Sequence, residues 1–219
     1  MTDKLRLGGM ALRNGLLVHG PTHWAAAVRV RDGSVRVASG RKPRARALDG
    51  VPGLRGLARR RLGGAAGEAT AAGASLAPAL FALQGGELAA YHGVEHKAIA
   101  AYEQDEPDAA DAAKEHDRCG SHLVAPMMAA NLAGAALLRR VVERPGPVAN
   151  AAVALSAAAV AVEVFAWSER HSGSRAARAI RRPGFELQRA MGTREPDDRQ
   201  LEVGRAALAE ILRVEGAAT

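Results

Sequence analysis

The chain has 219 residues, 48% of them hydrophobic but only 3% aromatic, and a net charge of +7. Most of its apolar residues are Ala, Val and Leu. Ala buries little area, which disfavours a bulky globular core and favours close helix–helix contact through small side chains. The single cysteine, Cys119, excludes an intrachain disulfide and suits a reducing compartment.

The N-terminal stretch holds no apolar run long enough for a secretory signal. Trp24 to Val37 is expected to form a β-hairpin. Val28, Val30, Val35 and Val37 alternate with Arg29, Arg31 and Arg36 around Asp32-Gly33. Asp-Gly within period-two alternation signals a two-residue turn. That register sets Val30 opposite Val35 and Arg29 opposite Arg36, with one apolar and one basic face. From Arg29 to Arg61, eleven Lys or Arg stand against two acids. Such a stretch can lie against anionic lipid, or it can be a solvated basic face.

Residues 41–56 contain Pro43 and Pro52 and read as a connector. Residues 57–86 are rich in Ala and Gly, and their apolar run Leu76–Leu83 is too short to cross a bilayer. The spacing of Tyr91, Val94, Ala98 and Tyr102 then predicts a helix over 88–104. The acidic segment Asp105–Asp117 is expected to lie in water. Two long apolar stretches follow, Leu123–Leu138 and Val148–Trp167, separated by Arg139, Arg140 and Pro145-Gly146-Pro147. They predict a helical hairpin over 122–168, either membrane-spanning or buried in a soluble protein. Five Arg after the second stretch (Arg170, Arg175, Arg178, Arg181, Arg182) against three in the turn place the bulk of the chain in the cytoplasm. Near the C-terminus, Pro196, Asp197, Asp198 and Gln200 suggest a helix N-cap. The amphipathic helix that follows carries Leu201, Leu208, Ile211 and Leu212 and could dock on a partner element.

The expected fold class is α+β: an N-terminal β-hairpin or small sheet over 1–56, a helical, membrane-embedded region over 57–182, and an amphipathic helical segment over 183–219.

Chemistry centres on His92-x-x-Glu95-His96. Two His four apart on a helix project from one face, one turn apart, where both can hold a tetrahedral zinc. In this inverted order the Glu is the general base toward a water that the metal activates. Gly93 is costly in a helix interior, and useful if another backbone approaches closely. Candidates for a further ligand are Glu103, His116, Cys119, His122 and Glu163. The last is a carboxylate inside an apolar stretch, where it is expensive unless paired, functional or snorkelling. The competing reading makes His92, Glu95, His96, Lys97 and Glu103 the solvated face of an ordinary amphipathic helix.

Tyr91-His92-Gly93-Val94-Glu95-His96-Lys97, followed by Tyr102-Glu103, resembles the signature of the YqhQ-like family of bacterial membrane proteins. Further matches follow in chain order: Gly8-Gly9 through Gly20-Pro21, Arg29 to Gly33, Pro52 with Arg55-Gly56, and His116 with Arg118-Cys119-Gly120. Val162-Glu163, Pro183-Gly184, Leu187-Gln188, Thr193-Arg194-Glu195-Pro196 and Leu201-Glu202-Val203 complete the set. The chain departs from the pattern at Met10, Asn14 and Asp117, and is shortened between Arg55-Gly56 and Tyr91. The family's members are multi-pass proteins of unknown function, described as predicted metal-dependent enzymes. With the resemblance added, the expected metal ligands are His92, His96, Glu103, His116 and Glu163, with Glu95 catalytic and Tyr91, Lys97, Arg118 and Cys119 as further candidate site residues. The functional expectation is a membrane-associated, metal-dependent hydrolase with zinc as cofactor, acting on an unidentified small molecule or peptide. Membrane lipid is an expected partner, and self-association is left open. The alternative is a non-enzymatic membrane scaffold. Nucleic-acid binding is not expected, because aromatic residues for stacking are scarce and no known module is present.

Overall fold

The structure is a computed structural model that describes residues 4–42 and 86–216. The expected connector beyond Lys42, the run Leu76–Leu83 and the resemblance at Pro52 and Arg55-Gly56 lie outside the described residues. The described residues form two compact units. One holds residues 4–42, 86–116 and 188–216; the other holds 117–187.

In the first unit, strands β1 (Gly8–Leu12), β2 (Gly15–His19), β3 (His23–Arg29) and β4 (Val35–Arg41) form an antiparallel sheet in chain order. Cross-strand partners share a face. Ala11 pairs with Leu16 and Leu16 with Ala27, while Val18 pairs with Ala25. All five side chains are buried against helices α1 (Gly86–Gln104) and α5 (Asp198–Glu215), which contribute Tyr91, Val94, Ile99, Val203, Ala207 and Ile211. A Cβ on Gly204 would overlap Val94, so glycine there lets the two helices approach.

The β3–β4 hairpin forms, but its register differs by one residue from the expected one. Arg29 pairs with Val35, and Val28 with Arg36. Asp32 accepts hydrogen bonds from the Ser34 backbone at 2.9 Å and hydroxyl at 2.7 Å. Gly33 takes a left-handed φ of 87°. The Gly33 N–H donates to the Val30 carbonyl at 2.9 Å and the Val30 N–H to the Ser34 carbonyl at 3.0 Å. This is a three-residue turn ending in a glycine bulge, and a bulge shifts every later pair. Arg29 consequently reaches α5, where its guanidinium pairs with Glu202 at 2.6 Å.

Helix α5 begins with the expected cap: Asp197 accepts from the Gln200 backbone, and the Gln200 side chain accepts from the Asp197 backbone. Its apolar face packs on the sheet of its own unit. Its last turn is fastened by Glu215, which accepts from the Thr22 backbone (2.8 Å), the Thr22 hydroxyl (2.7 Å) and the His23 backbone (2.6 Å). Burial acts to raise the Glu215 pKa, but these donors and nearby His23 hold it below the ordinary 4.5. A depressed carboxylate stabilises the fold above its unfolded pKa, and that contribution fades as pH falls through the folded value. Glu215→Gln is therefore expected to lower stability by about 1–3 kcal/mol at neutral pH. The gap between variant and wild type should close as acid is added below the ordinary value. Melting curves across that range check this; a gap that is independent of pH would show the carboxylate charge to be irrelevant.

The second unit holds a 3₁₀ turn (Gly120–Leu123) and helices α2 (Val124–Val141), α3 (Pro147–Arg170) and α4 (Arg175–Leu187). The expected helical hairpin is α2–α3. A Cβ on Gly134 would lie 2.9 Å from a Val153 methyl, so the small residue sets close helix contact. Both helices are long and apolar enough to cross a membrane. They do not bury their bulk. Met128, Leu132, Leu137, Leu155 and Val160 are exposed, and no residue of α2 is buried.

Candidate metal centre

Helix α1 is buried on every side. Thirteen consecutive residues, Ala89 to Ala101, are inaccessible, including His92, Glu95, His96 and Lys97. A solvated polar face is therefore ruled out for these four. Buried polar groups must find partners, and each of these does.

The His92 Nδ1 lies 2.7 Å from the Gly192 carbonyl, and the His96 Nδ1 lies 2.6 Å from the Lys114 carbonyl. A carbonyl only accepts, so each Nδ1 carries a proton, and in a neutral ring that leaves the lone pair on Nε2. The two rings lie 4.3 Å apart, centre to centre. Both Nε2 atoms stand 3.9 Å from the same oxygen of Glu95, Oε2. Backbone carbonyls that fix the tautomer and ring angle are the usual support of metal-ligating histidines.

The residues that follow each histidine hold its carbonyl partner in place. A Cβ on Gly93 would overlap the Arg194 carbonyl oxygen. Glycine thus lets the segment Thr193–Pro196 lie directly on α1, where the Arg194 N–H donates to the Ala89 carbonyl at 3.0 Å. That segment follows Gly192, the partner of His92. The Lys97 ammonium donates to the carbonyls of Ala110 (3.1 Å) and Ala112 (2.8 Å), and pairs with Glu195 at 2.9 Å. It thereby pins the loop that carries Lys114, the partner of His96. The expectation of a solvated loop over Asp105–Asp117 is corrected accordingly. Its start is exposed, but Ala109 and Ala112 are buried with Ala100, Ala101 and Leu201.

His116 and Glu103 join this group. The His116 ring centre is 5.6 Å from that of His96, and its Nε2 is 3.2 Å from Glu103 Oε2. Gln188, fully buried, accepts from the His116 N–H at 2.8 Å and donates to its carbonyl at 3.2 Å. Tyr91 belongs to the apolar core, and burial raises its pKa while the nearby Arg29 opposes the rise. Asn14 spends its amide on the Arg29 carbonyl in the β1–β2 turn.

Arg118, Cys119 and Glu163 lie in the second unit. Arg118 is half-buried, Cys119 buried and Glu163 exposed. His92 and His96 are buried donors of the kind that hold a metal ion. Glu163 makes no hydrogen bond or ion pair among the described residues.

Two contributions escape a reading of side-chain types. The carbonyls of Gly192 and Lys114 leave no mark in the sequence, since any residue supplies one. Gly9 does leave a mark, as half of Gly8-Gly9. A Cβ there would come within 2.6 Å of Glu95 Cγ and Oε1, so glycine in β1 makes room for that carboxylate. Beside the site a cleft of about 490 Å³ is lined by Ala89, Lys114, Arg189, Thr193 and Arg194 among others.

No curated protein and no solved structure matches the chain. A family model described as "Protein of unknown function (DUF1385)" matches residues 87–214, from the first turn of α1 to the last turn of α5. The match takes in His92, Glu95, His96 and the segments that orient them, and the YqhQ-like resemblance is consistent with it. It covers more than half of the chain, which therefore belongs to this family of uncharacterised proteins.

Proposed function

We propose that the protein is a metal-dependent hydrolase attached to the membrane, with its catalytic unit in the cytoplasm. The observation that carries this reading is the pair of buried imidazoles, each turned by a backbone carbonyl so that its Nε2 faces Glu95 Oε2 at 3.9 Å. The donor set fits a divalent ion. Two imidazoles with a carboxylate beside them suit zinc, and His116 or Glu103 supplies a further ligand. A divalent ion held there polarises a water or a scissile bond.

The chain's own residues do the rest. Glu95 would take a water's proton at Oε2 as that water adds to the scissile bond, and would return it to the leaving group as the bond breaks. Gly9 keeps the space that the carboxylate needs. Burial of the group excludes bulk water and strengthens each electrostatic contact. Substrate enters through the cleft beside Ala89 and Thr193, where Lys114 and Arg194 favour an anionic group on a small molecule or peptide. Attachment rests on the length, composition and outward-facing apolar side chains of α2 and α3. Orientation rests on the excess of Arg after α3 over the α2–α3 turn.

The test is metal content by mass spectrometry on protein extracted in detergent without chelator. About one zinc per chain is expected, and none in His92→Ala/His96→Ala. Glu95→Gln should keep the metal, because the base is not required to hold it. A fully folded wild type without metal would sink the reading.

A further inference from the structure

We propose that the exposed face of α4 binds the headgroups of anionic phospholipids. The inference rests on the membrane attachment proposed above, and it concerns the second unit alone.

Helix α4 starts five residues after the end of α3, the second helix able to cross a bilayer. The Ser174 hydroxyl caps it, accepting from the Ala177 N–H at 3.1 Å. Its arginines fall at steps of three and four. Arg175, Arg178 and Arg182 therefore share an arc of about 60° at 100° per residue, and all three are exposed. The opposite side is closed: Ala177, Arg181 and Gly184 are buried. A Cβ on Gly184 would overlap His122, so this side lies flat on the 3₁₀ turn. Arg181 turns inward, toward Asp117 at 3.5 Å, and takes no part in the exposed row. Arg178 donates to the Gly173 carbonyl at 2.9 Å, which ties the row to the turn that leaves α3. Glu186 stands about 20° past that arc, one turn beyond Arg182, and marks the end of the row.

A second observation sets the depth. Trp167 lies one turn before the end of α3, stacked on His171 at 4.9 Å. Tryptophan at the end of an apolar helix sits at headgroup level. The apolar run from Val148 to Trp167 is about 30 Å long at 1.5 Å per residue, the thickness of a bilayer's hydrocarbon. Trp167 at the interface leaves the turn and α4 beside the phosphates. Arginine forks match phosphate oxygens in pairs. Three forks in a row on a helix fixed by its buried side make a fitted surface for several anionic lipids.

The experiment uses the full chain in detergent micelles, offered equal amounts of phosphatidylglycerol and phosphatidylcholine. Native mass spectrometry counts the lipids retained. Wild type is expected to keep phosphatidylglycerol with at least a tenfold preference. Arg175→Ala/Arg178→Ala/Arg182→Ala should lose that preference to within about twofold, since the lost contacts are electrostatic. These side chains are exposed, so the variant should fold; an unchanged melting temperature checks this. Arg139→Ala/Arg140→Ala/Arg144→Ala, at the other end of the hairpin, should retain the preference. Equal retention of both lipids by wild type would overturn the proposal. So would a preference that survives the α4 variant, one that both variants lose equally, or displacement of the lipid by inorganic phosphate. Release of wild type from membranes by alkaline carbonate would overturn the attachment itself, a separate failure from loss of headgroup preference in a protein that stays embedded.

Discussion

Gly93→Ala is expected to destabilise the protein by about 2–3 kcal/mol, although helix propensity alone favours Ala by about 1 kcal/mol. The added methyl would overlap the Arg194 carbonyl oxygen, which is backbone and cannot rotate away. Retreat of that carbonyl is opposed on every side. The Arg194 N–H is bound to the Ala89 carbonyl at 3.0 Å, the Thr193 N–H to the Gln188 carbonyl at 2.8 Å, and Glu195 to Lys97 at 2.9 Å. Overpacking against fixed backbone outweighs the propensity gain, and a loss of roughly 5–10 °C in melting temperature follows for a chain of this size. A second effect separates this from a simple core defect. Moving Thr193–Pro196 also moves Gly192, whose carbonyl orients His92. Metal affinity should fall by roughly 10–100-fold, the usual cost of losing an orienting partner. A melting temperature equal to or above wild type would show that the segment does not rest on α1.

The second large effect is at Lys97. Lys97→Met keeps the length and apolar stem of the side chain but removes the ammonium, leaving the carbonyls of Ala110 and Ala112 without their donor. A buried acceptor left unpaired costs about 1–3 kcal/mol; Ala112 is buried and Ala110 exposed, so a loss of about 2 kcal/mol, carried by Ala112, is expected. Were Lys97 on a solvated face, the change would stay within about 0.5 kcal/mol. Thermal melting decides between these outcomes. The variant also loosens the loop that leads to Lys114, whose carbonyl orients His96. In the proposed metal site, zinc should therefore dissociate more readily from Lys97→Met than from wild type, and equal retention would break the link between the lysine and the site.

Together these two positions give a physical reason for His92-Gly93 and His96-Lys97 in this helix. Each histidine is followed by the residue that lets its carbonyl partner come near. At Gly93 the means is the absence of a side chain, and at Lys97 it is an ammonium between two carbonyls.

Local order was legible in the chain itself. The step pattern of Tyr91, Val94, Ala98 and Tyr102 located a helix that the structure extends only to Gly86. Asp197 and Gln200 announced the start of α5, because a capping box is a local hydrogen-bond pair. The apolar hairpin was visible as two long stretches around Pro145-Gly146-Pro147. His92, Glu95 and His96 were legible as a group for the same reason: helical spacing alone puts them on one face.

What escaped depends on partners distant in sequence. The β3–β4 register turned on whether Asp32 joins Gly33 in the left-handed region, as a two-residue turn requires; only Gly33 enters it, and Asp-Gly suits both that turn and a glycine bulge. Burial of α1 on all sides was invisible because a polar helix face looks the same whether water or a buried carbonyl satisfies it. Lys97, Glu95 and the two histidines are inaccessible because the loop through Ala109 and Ala112, the segment Thr193–Pro196 and strand β1 all close on the helix. Periodicity along one helix carries no information about those segments. Only their packing turns a five-residue pattern into two oriented imidazoles facing one carboxylate.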